Sequence, residues 1–253
     1  MRLLDLLFPP RCLACGELIR TDNGTPLCGI CLAKWVQSRR ITASEHRGVA
    51  VRRYTDITDP ERAGSVIHAV GYVPGARDTV EYRLIMRLKT TYDRRAAEFA
   101  ADELRSLALT AMPELAGIGG DPVVTWIPRR HEAVRRYGFD HMDRTAKLLA
   151  KKLGISSARL LVRRRDAMEQ KQLGIRDRRE NAHKTIIISP HAKIDGKTVL
   201  LIDDIVTTGA SLEAGAKELL RAGASQVIAM TLAATVQKKK NPRIEESFVV
   251  TDA

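Results

Sequence analysis

"TVLLIDDIVTTGASLEAGAKELLRAGASQVIAMTLAA", residues 198–234, decides the fold class of this chain. Its first part, TVLLIDD (198–204), is an unbroken apolar run that ends in two carboxylates, and it reads as a strand. SLEAGAKELLRAGA (211–224) has the composition and spacing of a helix, and QVIAMTLAA (226–234) is a second apolar strand. Strands so continuous in Val, Ile and Leu suit a sheet covered on both faces. A helix between two such strands predicts a right-handed parallel crossover.

Outward from this unit the alternation continues. VVTWIP (123–128), ARLLV (158–162) and TIIIS (185–189) are short apolar runs, and DRTAKLLAKKLG (143–154) is helical, with Lys147, Lys151 and Lys152 opposite its leucines. Further upstream, HAVGYV (68–73) reads as a strand. Two amphipathic helices follow it, one with Val80, Leu84 and Leu88 on a single face, the other with Ala97, Ala101, Leu104 and Leu107 or Ala108. GIGGDP (117–122) breaks the chain after them. Residues 66–253 are therefore expected to form an α/β domain whose ligand lies at the carboxyl ends of its strands.

The composition of the 253 residues, 44% hydrophobic and 28% charged, is that of an ordered globular chain. No apolar run approaches the ~18–20 residues of a membrane span. The start, MRLLDLLFPPRC, carries a charge inside its short apolar stretch and no small-residue cleavage site, so a cytoplasmic location is expected. The formal net charge of +12 is gathered in RRHEAVRR (129–136), RLLVRRR (159–165), RDRRE (176–180) and KKK (238–240). Such clusters attract polyanions, either nucleic acid or a multiply phosphorylated small molecule. Aromatic residues make up only 4%, which argues against the stacking platform of a single-strand binder.

All four cysteines lie near the start, as CLAC (12–15) and CGIC (28–31), with the turn signal TDNGTP between them. Cys12, Cys15, Cys28 and Cys31 can complete the tetrahedral sulfur shell that Zn2+ prefers; disulfides or redox thiols are the alternatives, and the lack of a secretion signal favours zinc. Four protein ligands leave no open position, so the zinc is expected to be structural. The expected organisation is a zinc-binding module over 1–40, a polar linker over 41–65, and the α/β domain.

Asp203 and Asp204 are expected at the carboxyl end of their strand, with IVTTGA as the turn. Paired carboxylates there can accept hydrogen bonds from vicinal hydroxyls, as a ribose offers, or hold a hard cation. Thr207, Thr208 and Ser211 supply hydroxyls, Gly209 lets the backbone turn, and Ser211 stands near the first turn of a helix whose amino end favours phosphate. The spacings of a P-loop and of a dinucleotide fingerprint are both absent.

VLLIDDIVTTGAS resembles the phosphoribosyl-pyrophosphate (PRPP) signature of type I phosphoribosyltransferases. That resemblance implies that Asp203 and Asp204 bind the ribose hydroxyls and that Thr207, Thr208, Gly209, Ala210 and Ser211 bind the 5′-phosphate. The order of the four-cysteine module, IMRLKT (85–90), IPRRHEAVRRYGFDH (127–141), EQKQLGIRDRRENAHKTI (169–186) and the PRPP motif is similar to the ComF family. It implies a type I phosphoribosyltransferase-like fold, a PRPP-type ligand with Mg2+, and an association with competence, the uptake and use of external DNA. Single-stranded DNA and DNA-uptake proteins follow as further candidate partners. The family usually has Arg-Gly-Phe-Asn-Gln where this chain has Tyr137-Gly138-Phe139-Asp140-His141. For the pyrophosphate side, Arg129 is the first candidate, with Arg136 and Lys89 behind it. His131 and His141 are candidate proton carriers.

Overall fold

The computed structural model describes residues 9–19, 24–47, 53–54, 66–111, 122–164 and 185–236. The motif at 169–184 and the lysines at 238–240 lie outside them. The strands are β1 (Arg53–Tyr54), β2 (Ile67–Tyr72), β3 (Val123–Trp126), β4 (Ser156–Ser157), β5 (Leu161–Arg163), β6 (Ile186–Ile188), β7 (Thr198–Val206) and β8 (Gln226–Thr235). The helices are α1 (Gly29–Glu45), α2 (Val80–Thr90), α3 (Arg94–Ala111), α4 (His131–Tyr137), α5 (His141–Leu153) and α6 (Ala210–Arg221).

β7 lies at the centre of the main sheet, parallel to β8 on one side and to β3 on the other, and β3 pairs in parallel with β4. β2 runs parallel to the carboxyl half of β8, while β1 pairs antiparallel with its amino half. The sheet is thus mostly parallel, as a βαβ chain requires. Both faces are covered. Val124, Leu200 and Ile202 pack with Leu104, Met142 and Leu149 of α3 and α5, whereas Val199 and Leu201 meet Leu212, Ala216 and Leu219 of α6. This two-sided burial is why the strands read as continuous apolar runs.

α2 starts at Thr79, whose hydroxyl accepts from the Tyr82 N–H, and buries Val80, Leu84, Ile85 and Leu88. Each such side chain contributes about 2 kcal/mol on burial. The buried stripe points Lys89, in the last turn, toward the central strand. α6 approaches the sheet closely at Gly215, where a Cβ would come within 2.9 Å of Ile127 Cδ1 and 3.0 Å of Leu161 Cδ1. Gly215→Val is expected to overpack this contact and cost about 2 kcal/mol, read as a lower urea midpoint at unchanged slope.

Three local expectations change. ARLLV and TIIIS do not extend the parallel sheet: β5 and β6 form a separate antiparallel pair beneath α6, anchored by Leu161 and Ile186. β7 runs two residues past the aspartates, so the turn is Thr207–Gly209, shorter than IVTTGA. α1 crosses the boundary expected at residue 40 and ends at Glu45. Of its 17 residues only Cys31, Trp35 and Thr42 are buried, too sparse a stripe to read as a helix. Among the described residues, no helix is long and apolar enough to cross a membrane.

Candidate functional site

The site lies where β7 gives way to α6. Gly209 adopts φ 78° and caps α6, a conformation that a side chain resists. The Glu213 N–H bonds back to the Gly209 carbonyl (2.9 Å), so the N–H groups of the first turn open toward the loop. Thr207 and Thr208 are exposed beside them, and Ser211 is half-buried. The Thr208 hydroxyl accepts from the Ala210 N–H at 3.4 Å, and the Thr207 hydroxyl meets that of Thr235 at 3.2 Å. Hydroxyls and free N–H groups at a helix amino end make a cradle for phosphate.

Upstream of the turn, the two aspartates part ways. Asp204 is buried, with one oxygen 3.1 Å from Lys89 Nζ and the other hydrogen-bonded to His141 Nε2. Burial alone would raise its pKa, but the His141 hydrogen bond and the Lys89 charge hold it down to about 2. Asp203 is half-buried and accepts a hydrogen bond from the Asp204 N–H (2.8 Å). Burial and the neighbouring Asp204 charge push its pKa up to about 8. One carboxylate is thus a fixed anion with both oxygens engaged. Its neighbour keeps an oxygen for something else.

The basic loop after β3 folds onto the same site, but its leading cation is already committed. Arg129 donates to the carbonyls of Phe139 (3.1 Å) and Lys89 (2.7 Å), and its guanidinium sits 4.6 Å from the Tyr137 ring centroid. It therefore ties the loop to the end of α2. Asp140 does the complementary work: it caps α5 through the Met142 N–H and accepts from Trp126 Nε1 and the Arg129 N–H, each at 3.2 Å. Trp126, 3% exposed, is a core residue with a polar anchor. Arg136 is exposed, stacked on Tyr137, and the exposed His131 meets the Arg163 carbonyl.

The structure thus brings Lys89, Asp203, Asp204 and the loop over 207–211 together, with Arg129 behind Lys89 and Arg136 outside. It gives His141, a candidate proton carrier with no partner visible in the sequence, a partner in Asp204, and it adds one residue. Arg163 lay within a basic cluster; its guanidinium donates to the Pro128 carbonyl (2.7 Å) and its charge lowers the Asp203 pKa.

The four cysteine Sγ atoms lie within 4.8 Å of one another, and Cys15 Sγ is 3.6 Å from Cys28 Sγ. Four thiolates about 2.3 Å from a zinc ion stand about 3.8 Å apart, so this cluster fits zinc. The thiols are free, not disulfide-bonded. Although burial opposes it, hydrogen bonds from the backbone at Cys15, Cys28 and Ala14 bring the Cys12 thiol to about 7, while burial pushes Cys31 up. With all four positions filled by protein sulfur, a zinc here is structural.

Comparisons with known proteins agree with both parts. The double zinc ribbon domain model matches residues 3–41, and the phosphoribosyl transferase domain model matches residues 144–253. A ribose-phosphate pyrophosphokinase of Nostoc sp. (strain PCC 7120) is 35% identical over 77 residues, 30% of this chain and 22% of that protein's length. Among solved structures, adenine phosphoribosyltransferase from Saccharomyces cerevisiae is 15% identical, over 81% of this chain and 85% of its own, at a TM-score of 0.32. Glutamine PRPP amidotransferase from B. subtilis is 18% identical, over 56% of this chain and 29% of its own, at a TM-score of 0.35. At these TM-scores the correspondence is loose. The domain match, the mostly parallel sheet and the clustered cysteines describe a phosphoribosyltransferase-type α/β domain preceded by a four-cysteine zinc module.

Proposed function

We propose that this protein binds PRPP at the β7–α6 turn and transfers its phosphoribosyl group to an acceptor. The observation that carries this is the joining, within one turn, of an open carboxylate at Asp203 to a Gly209-capped helix start lined by Thr207, Thr208 and Ser211. Asp203 would accept from the ribose hydroxyls while the turn holds the 5′-phosphate. The acceptor's lone pair would then form a bond to C1 as the C1–O bond to pyrophosphate breaks, pyrophosphate leaving with the electron pair and the acceptor losing its proton to solvent or to pyrophosphate. Holding ribose and phosphate at two fixed points is the chief service the chain provides. A Mg2+ ion held beside Asp203 would neutralise charge on the pyrophosphate. Among the described residues both Asp204 oxygens are engaged and one Asp203 oxygen is not, which suits an ion that takes one or two carboxylates plus substrate phosphates.

The similarity to the ComF family extends the proposal to competence and to DNA-uptake proteins or single-stranded DNA as partners, in the cytoplasm. A second reading, a PRPP-sensing regulator without transfer chemistry, is favoured by one feature. Lys89, Arg129 and Arg163, cations that the fold gathers at the site, are bonded to Asp204 and to backbone carbonyls. Calorimetric titration with PRPP and MgCl2 should give saturable binding, and pyrophosphate release should follow on adding a panel of amines and nitrogen bases. Binding without release across the panel favours the regulator; no binding refutes both readings.

A further inference from the structure

The site contains a histidine whose two ring nitrogens differ, one bonded to a carboxylate and the other buried beside a small pocket. His141 is 5% exposed at the start of α5, and its Nε2 bonds to Asp204, which lies on the sheet face that α5 covers. Its Nδ1 is buried with no hydrogen-bond partner among the described residues, and so is Nη1 of Arg144, one turn along the same helix. Both side chains line a small pocket of ≈ 10 Å³ shared with Leu88, Thr91, Tyr92, Asp93 and Phe139. That is room for a single water, and a buried water needs two or more polar partners. Here it would take a hydrogen bond from the guanidinium, which only donates, and give one to Nδ1. Because ionised Asp204 can only accept, Nε2–H is the donor in their hydrogen bond.

We propose that His141 is a positioning residue for the ribose-phosphate site: together with Lys89 it occupies both oxygens of Asp204 and so leaves Asp203 as the carboxylate that meets ligand. This rests on the PRPP reading for its ligand, but the geometry stands apart from it. Two neighbouring carboxylates free to rotate would compete for the same hydroxyls and repel each other. Fixing one from α2 and α5 at once lets the other present a single oxygen edge. The same contact joins the helix that carries Lys89 to the helix that follows the basic loop. Asp140 accepts from the Arg129 N–H, and the Arg129 guanidinium donates to the Phe139 and Lys89 carbonyls, so among the described contacts neither side chain is bonded to Asp204.

The test uses the full chain. PRPP affinity, measured by calorimetry with MgCl2, should fall about tenfold in His141→Ala and recover to within about threefold of wild type in His141→Gln, whose amide N–H can still donate to Asp204. The Asp204→Asn/His141→Ala double variant should be no weaker than Asp204→Asn alone, because both changes break one contact. In 15N-histidine-labelled protein without ligand, a slowly exchanging His141 Nε2–H resonance should be present and should shift or vanish in Asp204→Asn. Thermal midpoints identify any variant that has merely failed to fold, and His141→Gln then carries the comparison. Unchanged affinity in His141→Ala, or a glutamine variant as weak as alanine, overturns the positioning role. Failure of wild type to bind PRPP would overturn the ligand reading, whereas absence of the protected Nε2–H overturns the pairing itself.

Discussion

Asp203→Asn is expected to weaken PRPP binding by about 100-fold or more while making the protein more stable at alkaline pH. The first effect, read at pH 8.5 where Asp203 is ionised, follows from removing a charged acceptor that serves two hydroxyls, since hydrogen bonds to charged groups are worth about 1.5–3 kcal/mol each. The second follows from the sign of the pKa shift. Burial and Asp204 raise the Asp203 pKa to about 8, well above that of an unfolded aspartate, so the native state prefers its protonated form. The stability associated with that proton is fully present below about pH 4 and is lost as pH rises through about 8. Asparagine keeps the shape and loses the charge. Its thermal midpoint should therefore exceed that of wild type by about 2–4 °C at pH 8.5, with the gain vanishing near pH 4. Asp204→Asn should do the reverse, because the stability of a carboxylate held near 2 is present above about pH 4 and lost as pH falls toward 2. An Asp203→Asn variant that binds PRPP normally, or that is less stable at both pH values, would refute this division between the two residues.

How far the sequence reaches depends on the distance between partners. The β7–α6 unit was legible because strand, turn and helix follow one another within residues 198–221, and the apolar pattern of each is local. The cysteines were legible for the same reason, two tight pairs across one turn. The fixing of Asp204 was not, because Lys89, His141 and Asp204 come from three elements that meet only once the sheet is assembled. Arg129 illustrates a subtler limit. Its place beside the site could be inferred from its position after an apolar strand, but not that its guanidinium would be used by the carbonyls of Lys89 and Phe139. Composition shows a charge and leaves its partner open. α1 fell outside pattern reading because the four-cysteine cluster and a single tryptophan anchor it in place of an apolar stripe.

That anchoring gives the zinc module a reach beyond its own turns, and Cys31→Ser is the change expected to expose it. Cys12, Cys31, Leu27 and Trp35 belong to the same buried cluster as Val70, Leu84, Ile85, Leu88 and Phe99. Arg39 on α1 adds a 3.2 Å bond to Glu103 on α3. The thiolates therefore hold one wall of the core against which α2 lies, and α2 ends in the lysine that pairs with Asp204. A serine at 31 removes one of four ligands from a buried position, and structural zinc contributes its binding energy directly to folding. Elemental analysis should show zinc falling from one per chain to near zero. The thermal midpoint should drop by about 6–12 °C, corresponding to about 3 kcal/mol at this chain length. Cys15 is exposed, so Cys15→Ser disturbs the apolar wall less, and its drop should be smaller at equal zinc loss. PRPP affinity is the discriminating measurement. A module that only hangs from the domain would lose its metal without consequence for ligand binding, whereas one that shares a core with α2 should weaken PRPP binding several-fold at a temperature where the variant is still folded, through a metal site that no ligand touches.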